Sequence, residues 1–318
     1  MVALLPLRVT PQKGYHRDME NNTSLADDVN DVPPPRLTRL SNLLGQWDAD
    51  ADARHEAKQS GHALGPVVGL PSLDAALGGA LQTGLHIVHG VPGVGKTAFA
   101  LHVAVSCGCP VLYLTAEMSS LELLRRITAR ATETFLGKLK SGEIEPDKSK
   151  ELVRRAVRQA RRLALLDATQ SPILPSMLLD LADAARAIDP ASPHLLIIVD
   201  SLHSWAEGLP GEMPEYEALN ASLRSLRQIA ARLGCPVLAI AERNRASMKD
   251  GGLSAGAGSR KIEYGAESVI DLDTEKDARE DGNGEKAVNC RVSKNRNGAS
   301  GRELRLKFHG ALQRYTEA

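Results

Sequence analysis

The sequence predicts an α/β fold: a mostly parallel sheet with helices on both faces, ending in a C-terminal β-hairpin. Three observations carry this reading. From about Val67 onward, short apolar runs alternate with amphipathic stretches, the pattern of strands joined by helical crossovers. One strand-to-helix junction is glycine-rich and reads Gly90-Val91-Pro92-Gly93-Val94-Gly95-Lys96-Thr97. The last two strand candidates follow each other with no helix between them, as in a hairpin at the end of a sheet.

The elements follow in chain order. Residues 1–35 are polar and contain Asn21-Asn22, Asp27-Asp28 and Pro33-Pro34-Pro35, a composition that predicts a disordered or extended segment. In 36–65, Leu37, Leu40, Leu44 and Trp47 fall on one stripe of a helix, while Asp48 to Arg54 alternates Asp and Ala and reads as solvated. Gly61 and Gly65 break that helix, and residues 66–318 form the main domain. Strands are expected at Leu85–His89, Val111–Thr115, Leu195–Val199, Val237–Ala241, Val269–Leu272, Val288–Val292 and Leu304–Phe308. Helices are expected at Lys96–Ser106, Leu121–Thr132, Lys150–Arg162, Pro175–Ile188 and Tyr216–Leu233. Leu152, Ala156, Ala160 and Leu163 would share the apolar side of the third of these, with Arg154, Arg158 and Arg161 opposite.

Composition narrows the function. Among 318 residues, Lys+Arg and Asp+Glu are both 39, which argues against a uniformly basic nucleic-acid coat but leaves room for a local basic site. Aromatic residues make up only 3%, too few for binding built mainly on base stacking. The four cysteines, Cys107, Cys109, Cys235 and Cys290, form no CxxC pair, so buried thiols are expected rather than a disulfide framework or zinc ribbon. No apolar run approaches the ~18 residues of a membrane span, and Met1 to Leu7 lacks the features of a signal peptide. A cytoplasmic protein without a membrane partner is expected.

The segment from Gly90 to Thr97 matches G-x-x-x-x-G-K-[ST] at every fixed position, after a strand and at the start of a helix. Glycines let backbone N–H groups turn inward around a polyphosphate, and the helix N-terminus adds partial positive charge. Lys96 would reach the β and γ phosphates of ATP, and the Thr97 hydroxyl would ligate Mg²⁺. Leu195-Leu196-Ile197-Ile198-Val199-Asp200 is an apolar run ending in a carboxylate, which makes Asp200 the candidate for the second metal position. Glu117 lies just beyond the strand Val111–Thr115, at the sheet edge where ligands bind in such folds. By position alone it is either a solvated turn carboxylate or the base that activates water. Ser119 and Glu122 form a capping-box pattern that starts the next helix.

Together these residues resemble the RecA superfamily, and most closely the motor domain of DnaB-like ring helicases, over about residues 66–317. Gly69-Leu70-Pro71-Ser72-Leu73-Asp74 is similar to the family's segment ahead of its first strand. Gly95-Lys96-Thr97-Ala98-Phe99-Ala100-Leu101 resembles the helicase version of the phosphate loop, and Glu117-Met118-Ser119 the strand end that carries the catalytic base. Lys294-Asn295-Arg296-Asn297-Gly298 matches the family's K-x-R-x-G finger. The resemblance implies that Lys294 and Arg296 reach the γ-phosphate of the neighbouring subunit. Residues 286–307 carry seven Lys/Arg and one Glu, a basic hairpin suited to that task.

Glu242-Arg243-Asn244-Arg245 resembles S-Q-x-N-R, with Glu242 standing where the family has the Gln that senses nucleotide. Gln can donate to a γ-phosphate, whereas an ionised Glu repels it. The family's pore loops correspond to Arg245–Glu263, whose glycines with Arg260 and Lys261 suit backbone contacts to single-stranded DNA, although the family's Arg-Glu-Ser-Gly pattern is absent. The resemblance further implies a Mg²⁺-dependent ATPase and DNA helicase or translocase, assembled as a homo-oligomeric ring, a hexamer. In it, the Leu37–Trp47 helix would dock on the next subunit. Two alternatives come from the same superfamily: a RecA/RadA-like recombination ATPase, suggested by Val199-Asp200-Ser201, and a KaiC-like ATP-driven switch that does not translocate.

Overall fold

The computed structural model describes residues 37–211, 213–242, 265–274 and 281–318. Its strands are β1 (Gly84–Gly90), β2 (Val111–Thr115), β3 (Leu163–Asp167), β4 (Leu196–Asp200), β5 (Pro236–Glu242), β6 (Ser268–Asp273), β7 (Glu285–Asn295), β8 (Arg302–His309) and β9 (Arg314–Glu317). Its α-helices are α1 (Leu44–Ser60), α2 (Pro71–Ala76), α3 (Lys96–Ser106), α4 (Ser120–Thr132), α5 (Leu136–Ser141), α6 (Pro146–Gln159), α7 (Pro175–Arg186), α8 (Leu202–Glu207) and α9 (Glu215–Leu233). One sheet runs β3-β2-β4-β5-β1-β6-β7-β8-β9. The first six strands are parallel, and β7, β8 and β9 add to them antiparallel. The expected mostly parallel sheet and C-terminal hairpin are both present.

The period of two in each strand divides the core. Val88, Tyr113, Ile198, Ile240, Ile270 and Val292 face one side and pack on α2, α3, α4 and α6. Ile87, Leu114, Val199, Ala239 and Val269 face the other and pack on α7, α8 and α9. Central strands buried on both faces explain the near-continuous apolar runs in the sequence. Local chemistry sets the helix ends. The Ser119 hydroxyl accepts the Glu122 N–H to cap α4, Pro146 and Pro175 open α6 and α7, and Gly234 ends α9 in a left-handed conformation.

The sequence expectations need four corrections. The helix expected through Arg162 stops at Gln159, and Leu163 opens β3, a half-buried edge strand whose short Leu-rich run continued the helical spacing by chance. A further strand, β9, extends the hairpin into three antiparallel strands. The short helices α2, α5 and α8 are one or two turns long, too brief for a periodic signal. The stripe from Leu37 to Trp47 is not one helix: a 3₁₀ turn at Leu40–Leu43 leads into α1, and Leu37 lies ahead of both. None of the α1 residues is buried, and Leu40 and Trp47 are 84% and 70% exposed. All four cysteines are buried and free.

The segment leading into the sheet is held by two side chains, half-buried Asp74 and buried His102. The Asp74 carboxylate on α2 accepts the N–H groups of Val68 (2.6 Å) and Gly69 (3.1 Å). His102 on α3 lies 3.2 Å from the Gly69 carbonyl through Nε2 and 3.2 Å from the Arg130 guanidinium through Nδ1. A guanidinium only donates, so Nδ1 accepts and Nε2–H donates to Gly69. Burial, and then the Arg130 charge, lower the His102 pKa from its ordinary 6.5 to about 4. A depressed histidine holds its stabilisation above the unfolded value and loses it as pH falls from 6.5 through 4. Relative to a His102→Gln variant, wild-type protein should lose roughly 3 kcal/mol of unfolding free energy over that interval. Urea titrations at pH 7.5, 5.5 and 4 measure this, and parallel pH dependence in the two proteins would refute it.

Candidate nucleotide-binding site

The loop from Gly90 to Thr97 joins β1 to α3, as the motif requires. Gly93 and Gly95 have φ of +81° and +94°, a region that favours glycine because it lacks a Cβ. At Gly95 a Cβ would also lie 2.8 Å from the Phe308 ring. The Lys96 ammonium folds back over the loop, donating to the carbonyls of Gly90 (3.0 Å) and Val91 (3.3 Å). The hairpin supports the loop from beneath: Tyr315 on β9 donates its hydroxyl to the Val94 carbonyl, stacks on Phe308 at 4.8 Å and meets the edge of Phe99 at 5.5 Å. Val91 is half-buried, Pro92 exposed and Val94 buried, so the loop crest faces outward over an apolar footing.

Asp200 ends β4 in register with Thr115 of β2 and is 3% exposed. Its Oδ2 accepts the Tyr113 hydroxyl at 2.7 Å, and the Thr97 hydroxyl also donates to its carboxylate. Burial pushes the Asp200 pKa up to about 6. The Tyr113 hydrogen bond opposes that rise, the Glu117 charge adds to it, and the Thr97 hydrogen bond and Lys96 charge oppose it. Lys96, Thr97 and Glu117, up to 104 positions away in the chain, therefore all act on the Asp200 carboxylate. A hydroxyl and a carboxylate beside a phosphate loop are hard oxygen donors of the kind Mg²⁺ takes, with water and phosphate completing its shell. The residues thus fit a phosphate-carried Mg²⁺.

Glu117 is exposed, just past Ala116, whose N–H donates to the Asp200 carbonyl at 2.7 Å. The Ser204 hydroxyl on α8 donates to Glu117 Oε1 at 3.2 Å. Sequence reading missed both Ser204 and Tyr113. Tyr113 carried a usable signal, because a tyrosine inside a buried strand needs a partner for its hydroxyl. Glu242 ends β5 in register with Gly90, its side chain exposed, and its N–H donates to His203 Nδ1 at 3.4 Å.

Lys294 and Arg296 lie elsewhere. The ladder between β6 and β7 shifts between Val269 and Ile270, leaving Ser293 as an extra residue. Without that bulge, Lys294 would follow Val288, Cys290 and Val292 onto the buried face. With it, Lys294 pairs with Val269 and moves to the opposite face. The Arg296 guanidinium donates to Glu267 Oε1 at 2.9 Å, and its N–H to the Glu267 carbonyl. The Glu267 N–H in turn donates to the carbonyl of Leu85, near the start of β1. Gly90, five residues further along β1, is about 17 Å away at the usual strand rise. The structure does not bring Arg296 to the phosphate loop of its own chain. Arg260, Lys261 and the rest of Arg245–Glu263 lie outside the described residues.

Residues 65–317 match the model of the DnaB-like helicase C terminal domain. The chain belongs to that family. Among curated relatives, it is 26% identical over 283 residues to the replicative DNA helicase DnaB of Treponema pallidum, covering 87% of this chain and 61% of that protein. It is 27% identical to the Haemophilus influenzae protein of the same name, covering 86% of this chain and 60% of the relative. The chain thus spans about three fifths of these relatives' length. Among solved structures, a DnaB-like replicative helicase studied with primase superposes with a TM-score of 0.68 at 18% identity, over 89% of this chain and 68% of that one. A KaiC-like protein from Pyrococcus horikoshii gives 0.53 at 18% identity, over 79% and 97%. These two likenesses concern the fold, which is the RecA-like one expected. Among the described residues, no helix is long and apolar enough to cross a membrane.

Proposed function

We propose that this chain is a Mg²⁺-dependent ATPase that drives a homo-oligomeric ring, a hexamer, along single-stranded DNA as a DNA helicase or translocase. The observation that carries the proposal is the meeting of Lys96, Thr97, Asp200 and Glu117 at one end of the sheet, in a chain of the DnaB-like family. The backbone N–H groups from Gly90 to Thr97 and the Lys96 ammonium hold the β and γ phosphates. Thr97 and Asp200 hold the Mg²⁺ shell, and the metal supplies charge neutralisation at the phosphates. Glu117, oriented by Ser204, accepts a proton from the attacking water. Glu242, level with Gly90, senses the nucleotide.

Lys294 and Arg296 complete the site of the neighbouring subunit. The distance of Arg296 from its own loop and the bulge that turns Lys294 off the buried face support this reading. The uncovered Leu40, Leu44 and Trp47 supply an apolar surface for docking the 36–65 helical segment on that neighbour. Arg260 and Lys261 contact the DNA backbone without reading sequence. The relatives' name, replicative DNA helicase, supports the choice of substrate.

Three measurements test the proposal. ATP turnover should rise on adding single-stranded DNA and fall at least 100-fold in Glu117→Gln, the size of effect expected for a general base. Turnover indifferent to DNA would move the reading to an ATP-driven switch. Arg296→Ala should lose turnover about 1,000-fold while binding nucleotide normally, and mixing it with Glu117→Gln should recover activity at mixed interfaces. Recovery failing in mixtures that demonstrably co-assemble would rule out a shared site. Removing residues 1–60 should lower the ATP-dependent mass seen by light scattering, and an unchanged mass would exclude docking by this segment.

A further inference from the structure

We infer that Tyr113 is a positioning residue for the metal end of the nucleotide site, fixing the carboxylate of Asp200 through its phenol. The inference rests on the Mg²⁺-ATPase reading and extends it to a side chain that touches neither nucleotide nor metal. Tyr113 pairs across the ladder with Ile198, and Asp200 lies two residues further along the same face, a diagonal that an aromatic side chain can span. The phenol is fully buried and donates to Asp200 Oδ2 at 2.7 Å.

A carboxylate at the end of a buried strand can rotate about its last torsion, because that torsion is soft. With Oδ2 engaged by the phenol, that rotation is stopped. The lone pairs that remain are those able to accept a metal-bound water. Phenylalanine would fill the same space and pack on the same neighbours. It would remove only the donor, leaving a buried carboxylate with one partner fewer and no fixed orientation. Glu117 follows two residues after the end of the same strand, so β2 would set both acidic groups of the site.

The experiment compares full-length wild type, Tyr113→Phe and Asp200→Asn by titrating a fluorescent ATP analogue with excess Mg²⁺ and with EDTA. The ratio of the two affinities measures coupling to the metal independently of turnover. Wild type should bind more tightly with Mg²⁺, and Asp200→Asn should lose most of that gain. Tyr113→Phe should stay folded and keep its EDTA affinity but lose about tenfold of the Mg²⁺ gain, the effect of one hydrogen bond to a charged group. A wild-type ratio in Tyr113→Phe would show the phenol to be packing alone and overturn the inference. An equal loss with and without Mg²⁺ would also overturn it, by tracing the effect to the loop. No Mg²⁺ gain in wild type would remove the Asp200 reading itself, and the inference with it.

Discussion

The burial of the Asp200 carboxylate is the constraint around which the rest of the site is arranged. A carboxylate taken out of water needs partners that replace its hydration. Here they are two hydroxyls and the charge of Lys96. They come from two elements: Tyr113 from β2, Thr97 and Lys96 from the start of α3. Satisfying one buried group therefore ties the pairing of β2 with β4 to the approach of α3. The partners do not fully compensate, since the carboxyl still titrates near 6. The remaining deficit is what a divalent cation would remove.

A second constraint acts on the loop itself. Two positive-φ glycines allow the backbone to turn around a ligand, and nothing in those residues alone would stop the loop from collapsing. The packing of Phe308 against Gly95 and the Tyr315 hydrogen bond to Val94 supply the footing. Both aromatics come from the antiparallel strands at the C-terminus, more than 200 residues away. The hairpin thus has two ends with different work: its aromatics support the phosphate loop of its own chain, and its bulged tip carries Lys294 and Arg296 away from that loop.

The parts of this arrangement that sequence made legible are those whose chemistry is local. The phosphate loop needs glycines, a lysine and a hydroxyl at fixed spacing, and a buried parallel strand needs an apolar run, so β1, β2 and α3 were readable with their ends nearly in place. Pairings between distant elements were not. Nothing near Tyr113 in the sequence indicates Asp200, and nothing near Glu117 indicates Ser204, because those contacts depend on which strands and helices become neighbours. The bulge at Ser293 was equally hidden. Strict alternation through Val288, Cys290 and Val292 places Lys294 in the core, and only the ladder shift reverses that. β3 was absorbed into the preceding helix because a five-residue leucine-rich edge strand and one more helical turn have the same apolar spacing over so short a run.

Charge gives the proposed ring a reason independent of distance. Among the described residues, three carboxylates, Asp200, Glu117 and Glu242, stand around the loop with Lys96. A nucleoside triphosphate brings several more negative charges. Coulomb repulsion between such groups is strong where solvent is partly excluded, so these four residues alone are poorly matched to a polyphosphate. A divalent cation held by Thr97 and Asp200 would offset part of that excess. Cations arriving from outside the chain would offset more, and at the γ-phosphate, where negative charge spreads over the transferring oxygens. Glu242 sharpens this requirement, because a neutral amide at the end of β5 would donate to the phosphate and a carboxylate does not. An acidic loop in one subunit and a basic, outward-turned strand tip in the same subunit are the two halves that head-to-tail association would join.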